Sequence, residues 1–361
     1  MNATSAKHAN VMLPNEQERR QIFYWLKQVS SYTAWNRILG FYKGWAEATE
    51  ESVRQASELG LVDKSRIPES DYVLILKGLA HCEEGVLRLR KGDKRVFKFD
   101  ANGELAMAYR PLSHFSHWLT RLEWGEHPPV DPSTTPNWSE FQKTLVRTAE
   151  AWGECAEIIE SQYFDDASST VYGVWFQEKL PKMHFPATLS NVPDPEKNVL
   201  APTGKIIPHS GIWEPVDAPK PKSFHLFGSA EPSGPYSIMG CMNYLHEGSA
   251  APKASLETSD ANPESDTTWR LLWHDDRYKD GTIPEEEHGY RFMLPESDTQ
   301  TVRIPAQSRS DPLVTAESGQ PAPRSGRWLP EHDLEGATSF EAGQLLPEHK
   351  GHPIRWVLAQ R

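Results

Sequence analysis

Apolar residues recur with a helical period through the first 165 or so positions, and beyond them that period is lost. Asn15 is followed three residues later by Glu18, the arrangement of a capping box. Behind it Ile22, Phe23, Leu26 and Val29 fall at 3.6-type spacing, and Trp35, Ile38, Leu39, Tyr42, Trp45 and Ala46 continue the stripe. Ser30-Ser31-Tyr32-Thr33 predicts a break between two helices, because Ser and Thr side chains compete for backbone hydrogen bonds. Leu59-Gly60 reads as a C-cap. A third helix is expected from a Ser70 cap through Tyr72, Leu74, Leu76, Leu79 and Leu87. Residues 95–110 differ: Val96, Phe97 and Phe99, then Asp100-Ala101-Asn102-Gly103, then Leu105 and Met107, predict a small hairpin with Asn-Gly at its turn. Helical patterning resumes at 113–122 and again from a Ser139 cap, with Phe141, Leu145, Ala149, Trp152, Ala156 and Ile159 as its stripe.

After residue 185 Pro, Gly, Ser and Trp dominate, and short strands are expected at 204–207, 224–228, 236–245, 269–273, 290–294, 301–304 and 353–358. The polar stretches 249–268 and 306–326 read as long loops. One phrase occurs twice. Residues 201–215, APTGKIIPHSGIWEP, and 316–330, AESGQPAPRSGRWLP, share Ala201/Ala316, Gly204/Gly319, Pro208/Pro323, Ser210/Ser325, Gly211/Gly326, Trp213/Trp328 and Pro215/Pro330. The same spacing also links Gly228 to Gly343 and Pro232 to Pro347. The shared residues are turn formers and one large aromatic, so what repeats is a backbone shape around a Trp, with no acid, base or thiol in common.

The expected class is α+β, an N-terminal helical bundle followed by a β-rich, loop-heavy region holding two related β units. The expected organisation is a disordered tail at 1–11, a helical domain at 12–165, a linker at 166–195 and a β-rich domain at 196–361. That last domain carries repeats at 201–247 and 316–361, with an acidic insertion at 249–310.

Composition sharpens this picture. The chain has 361 residues, 29 Pro, 23 Gly and a net charge of -12, and its mean hydropathy is -0.62. No apolar run approaches the twenty residues a membrane helix needs. The N-terminal stretch lacks the apolar core of a secretory signal. Three scattered cysteines fit free thiols in a reducing compartment, so a soluble cytoplasmic protein is expected. Residues 255–300 hold 4 basic against 12 acidic side chains. Clustered acid argues against nucleic acid as a partner and favours a basic one.

Candidate chemistry is thin. Cys241 and His246 could form a thiolate nucleophile, but five residues apart on a strand their side chains face opposite ways, and a buried structural Cys is the default. His114 and His117 stand at i, i+3 with no third ligand, so a packed or surface pair outweighs a zinc site. The run Arg88–Lys98 reads as a solvated helix end. The richest polar stretch contains Asp275, Asp276 and Asp280, then Glu285, Glu286 and Glu287. It fits no EF-hand frame, which leaves a solvated loop or a surface for a basic partner. Trp213 and Trp328 are each either the plug of a small core or, if exposed, an interface anchor. Those six acids and two tryptophans are the candidate partner-binding residues. No metal, cofactor or catalytic residue is assigned. Phosphate loop, nucleophile elbow and dinucleotide fingerprint are all lacking.

The run Ser31-Tyr32-Thr33-Ala34-Trp35-Asn36-Arg37-Ile38-Leu39 with Trp45-Ala46 resembles the start of bacterial immunity proteins of the families immunity protein 71 and immunity protein 72. Gly240-Cys241-Met242-Asn243-Tyr244-Leu245-His246 and the Gly-x-x-x-Pro-x-Ser-Gly-x-Trp phrase share that resemblance. These families are associated with polymorphic toxins and often with type VI secretion. The resemblance implies a non-enzymatic inhibitor that binds a cognate toxin or effector tightly and blocks it, without nucleic acid or membrane. An adaptor or chaperone for a secreted effector is the alternative. A thiol- or metal-dependent hydrolase is a third reading.

Overall fold

The computed structural model describes residues 11–98, 103–159, 170–194, 198–217, 236–258, 261, 263–294, 314–330 and 338–360. Helices α1 (Glu16–Val29) and α2 (Tyr32–Glu58) follow the predicted stripes. The capping box forms: the Glu18 amide donates to Asn15 Oδ1 at 3.0 Å and the Asn15 amide to Glu18 Oε2 at 2.8 Å. The serines break the helix by taking backbone bonds for themselves. Ser30 Oγ donates to the Leu26 carbonyl at 2.8 Å, while Ser31 Oγ accepts the Ala34 amide at 3.1 Å and so caps α2. Next come α3 (Glu69–Arg90), α4 (Glu104–Glu123), α5 (Trp138–Ile159) and the short α6 (Val174–Lys179).

The predicted hairpin at 95–110 is not there. Its turn residues 99–102 lie outside the described residues, but its flanks are helical. Val96 and Phe97 sit in a 3-10 turn, Lys94–Phe97, and Leu105 and Met107 open α4. Val96 and Phe97 are adjacent in sequence and both buried, which a half-exposed strand cannot achieve. Phe97 packs 5.5 Å from the Trp35 ring, so tertiary contact overrides the local strand signal.

The C-terminal half is built of short antiparallel strands, giving the expected α+β class. The strands are β1 (Leu200–Pro202), β2 (Gly211–Asp217), β3 (Ser237–Ile238), β4 (Asn243–Leu245), β5 (Ala254–Ser255), β6 (Glu264–Ser265) and β7 (Thr268–His274). They continue as β8 (Thr315–Glu317), β9 (Gly326–Pro330), β10 (Thr338–Phe340) and β11 (Arg355–Gln360). The expected strand at 269–273 lies on β7, that at 353–358 overlaps β11 from Arg355 onward, and 236–245 contains β3 and β4. Residues 204–207 instead form the turn between β1 and β2, where the Lys205 amide donates to the Pro202 carbonyl at 2.9 Å. Residues 290–294 form no strand, and 224–228 and 301–304 lie outside the described residues.

The duplicated phrase folds the same way twice. In one sheet β7 lies between β1 and β2, and β4 pairs with the far side of β2; in the other β11 lies between β8 and β9, with β10 beyond. Trp213 and Trp328 each donate their indole N–H to the carbonyl four residues earlier, at 3.1 and 3.2 Å. A second Trp completes each core. Trp269 donates to the Pro252 carbonyl at 2.7 Å and Trp356 to the Pro347 carbonyl at 2.9 Å. The Gly248 amide meets the Ile207 carbonyl as the Gly343 amide meets that of Ala322. Gly343 and Pro347 thus answer to Gly248 and Pro252, not to Gly228 and Pro232, which lie outside the described residues. The spacing between copies shrinks because the first copy carries a longer β2–β4 connection and the added β5–β6 hairpin.

The chain clusters into two compact units. The first takes residues 1–43, 81–116 and 144–295, and the second takes 44–80, 117–143 and 296–361. The first holds the core of Ala201, Ile207, Trp213, Leu245, Ala251 and Trp269 with its neighbours. The second holds Ala316, Ala322, Trp328, Phe340, Leu346 and Trp356. Position for position these are one core. Gly204 and Gly319 turn with φ of 79° and 82° and have open space around them. Gly204→Ala and Gly319→Ala should therefore each cost about 1–2 kcal/mol, through backbone strain alone. Urea denaturation checks this; a loss at only one of the two would break the equivalence.

Candidate functional site

The acidic stretch after β7 divides sharply between inside and outside. Asp275 and Glu287 are buried, at 2% and 1% exposure, whereas Asp276, Asp280, Glu285 and Glu286 are exposed. The buried pair surrounds Arg277, itself buried. Arg277 donates Nε and Nη2 to the two Asp275 oxygens, both at 2.8 Å. Its remaining hydrogens go to the end of α1: Nη1 to the Lys27 carbonyl at 2.9 Å and Nη2 to Ser30 Oγ at 2.7 Å. A cation thus closes the negative end of that helix.

Glu287 does the converse for α2. It lies in a 3-10 turn, Glu285–Gly289, and its Oε2 accepts the Thr33 amide at 3.1 Å. Tyr278 Oη accepts the Tyr32 amide at 2.8 Å and donates its own hydrogen to Glu287. An anion therefore faces the positive end of α2. Asp275 has two further partners, Tyr244 Oη at 2.8 Å and the Lys94 ammonium at 3.2 Å. Burial pushes the Asp275 carboxyl upward, but the charge and hydrogen bonds of Arg277 outweigh this and hold it well below the usual carboxylate range. Burial lowers the Lys94 ammonium from 10.5 to about 8, against the pull of Asp275. The following residues run on as a strap. Gln28 Nε2 donates to the Arg291 carbonyl at 2.7 Å, and the Met293 amide donates to Glu154 at 2.7 Å.

Four of the eight candidate partner-binding residues are therefore internal. Asp275 and Glu287 are consumed by the clasp. Trp213 and Trp328, both at 0% exposure, are the plugs of the two β cores. The solvated loop keeps only part of its acids. Asp280 closes its own turn through the Thr282 amide at 2.9 Å, and Glu286 pairs with Lys27 at 2.7 Å. Asp276 and Glu285 reach solvent.

The thiol reading loses its chemistry. Cys82, Cys155 and Cys241 are buried, and burial pushes each thiol well above its ordinary value. His246 is packed between Phe97 and Tyr244 and donates Nε2–H to the Ile159 carbonyl. His114 and His117 are exposed on α4. Among the described residues no group of three or more His, Cys, Asp or Glu could hold a metal, and no helix is long and apolar enough to cross a membrane. The second unit carries a groove of about 540 Å³ between the end of α2 and the start of α3. Glu50, Glu58, Glu69, Val53, Val62 and Tyr72 are among its walls.

Two outcomes follow from the clasp. Arg277→Met removes the guanidinium between Asp275 and Glu287, leaving Asp275 with Lys94 as its cation, and should cost about 3–5 kcal/mol in urea denaturation; a loss below about 1 kcal/mol would contradict the assignment. Lys94 gives the second. Its folded value lies below its unfolded one, so between the two the unfolded chain holds a proton that the folded chain has released. Its contribution to stability therefore rises with pH from about 8 to about 10.5. The stability of the native chain minus that of Lys94→Met should increase across this window, and a flat difference would contradict the burial of a charged lysine.

No curated protein and no solved structure matches the chain. Two family models match it side by side. Residues 13–169, carrying α1 to α5, match the family described as immunity protein 71, and residues 193–291, carrying the first β unit and the clasp, match the family described as immunity protein 72.

Proposed function

We propose that this chain is an immunity protein that binds a cognate bacterial toxin in the cytoplasm and neutralises it by covering its working surface. The observation that carries the reading is the pair of family matches over residues 13–169 and 193–291. Burial of all three thiols supports a protein that acts by contact rather than by bond-making. Association with type VI secretion and competition between neighbouring bacteria belongs to the same reading. Shape fit and a few aromatic anchors supply affinity in such a complex, and charge sets the rate of encounter. The net charge of -12 draws in a basic toxin at long range, and the exposed Asp276, Asp280 and Glu285 contribute to that field without touching the folded core.

Co-expression with the product of the adjacent reading frame is the direct experiment. Cells should survive, and the two chains should purify as a complex in which the toxin is inactive. Death of the cells despite a stable complex would favour an adaptor that escorts an active effector. Reversing Asp276 and Glu285 to Lys together should slow association about fivefold at low salt, with the difference fading at high salt and the melting temperature unchanged. Equal rates for variant and native chain would remove these acids from the encounter.

A further inference from the structure

The groove at the bend from α2 to α3 is tied in place by backbone bonds. Gly60 turns there with φ of 66°, and the Leu61 amide donates to the Ala56 carbonyl at 2.7 Å, which ends α2. The Ser65 amide donates to the Leu61 carbonyl at 2.8 Å, and Thr135 Oγ1 accepts the Arg66 amide at 3.1 Å, so the returning chain is held as well. The deepest walls are apolar: Ala56 and Ile67 are each at 2% exposure, and Val53 lies with them. Val62 stands on the rim at 55% exposure. A volume of about 540 Å³ is in the range of binding clefts and holds more than one side chain.

Acids stand around this apolar floor. The walls carry Glu50, Glu58 and Glu69 against one cation, Arg54. Arg54 is shared between Glu51 and Glu58, two carboxylates on one guanidinium. Tyr72 donates its hydroxyl to Glu50, a neutral partner that leaves the charge in place. From 47 to 72 the chain holds seven acidic against three basic side chains. The two kinds of wall together select the occupant. A purely apolar side chain would strip water from the carboxylates without replacing it. A small hydrated cation would gain nothing from Ala56, Ile67 and Val62, and among the described residues no group of three or more His, Cys, Asp or Glu could hold a metal ion. Lys and Arg satisfy both walls, with an alkyl stem for the floor and a cationic head for the rim.

We propose that this groove takes a lysine- or arginine-bearing segment of the cognate toxin. The alkyl stems lie against Ala56, Ile67 and Val62, and the cationic heads sit among Glu50, Glu58 and Glu69. The acidic field of the whole chain brings a basic toxin in; the groove gives one basic segment a place to seat. This deepens the toxin-binding reading and rests on it. A cleft already shaped before contact loses little conformational freedom when it is filled, which favours affinity.

The test uses the full chain and, as probe, the purified product of the adjacent reading frame. Titration calorimetry at several salt concentrations reads affinity, thermal unfolding reads the fold, and sedimentation reads the oligomeric state. Glu50→Gln, Glu58→Gln and Glu69→Gln together should weaken binding about thirtyfold and flatten its salt dependence. Val62→Ser should weaken it about fivefold with the salt dependence unchanged, because only a stem contact is lost. Glu123→Gln, Glu126→Gln and Glu140→Gln make the same change in net charge elsewhere and should shift affinity less than about threefold. All three variants should melt close to the native chain, since the altered side chains are at or near the surface. Equal losses in the two triple variants overturn the groove, leaving only the general field. Native-like affinity in the groove triple overturns it too. So does a native chain that self-associates and becomes monomeric in the groove triple, since a second copy is then the occupant. A native chain that does not bind the probe overturns the toxin-binding reading and the groove with it.

Discussion

One guanidinium governs the first unit. Arg277 sits where α1 ends and α2 begins, and with Glu287 it supplies opposite charges to two helix ends that face each other. Neither charge tolerates burial alone. Together with Asp275 and Lys94 they form a balanced set of two anions and two cations, with Tyr244 and Tyr278 filling remaining hydrogen-bond sites. The break between α1 and α2 is thus a junction, held by residues some 250 positions away. A second tie lies nearby, where buried Glu214 of β2 accepts Arg19 of α1 and Arg270 of β7, the latter at 3.1 Å. The segment matched by immunity protein 72 thereby completes helices matched by immunity protein 71.

The β units follow a different rule. Each encloses two tryptophans whose indole N–H groups are satisfied by backbone carbonyls, so a large apolar body is buried without an orphaned donor. Turn residues and Trp positions recur because they define this cage, and surface residues are free to differ. Ile206 faces Ala250 in the first copy, whereas Pro321 faces Leu345 in the second, each at the same isolated bridge. The second copy lies outside both family matches and still reproduces the cage.

What could be read from the sequence was what local residues decide. The capping box at Asn15 and Glu18, the serine break at 30–31 and the stripe on α5 each act within a few positions. The duplicated phrase was visible for the same reason: Gly204, Ser210, Gly211 and Trp213 are close together. The end of the repeat was hidden, because the longer connection and the extra hairpin shift Gly248, Pro252 and Trp269 out of the initial spacing. The clasp was hidden more deeply. Asp275 and Glu287 look like surface acids, and nothing near them names Ser30 or Thr33. One signal was available: Trp273, Tyr278 and Tyr290 interleave with opposite charges, a mixture that suits a buried network better than a solvated loop.

The start of α2 is fixed from inside the first unit by charge and by a tyrosine hydroxyl. The amides of Tyr32 and Thr33 report on this most directly, because their acceptors are Tyr278 and Glu287. Hydrogen exchange of the native chain and of Glu287→Ala would measure it. The account predicts that both amides exchange slowly in the native chain, near the rate set by global unfolding, and that protection falls selectively at the start of α2 in the variant. Rapid exchange of these amides in the native chain, or protection that survives loss of the Glu287 carboxylate, would contradict it.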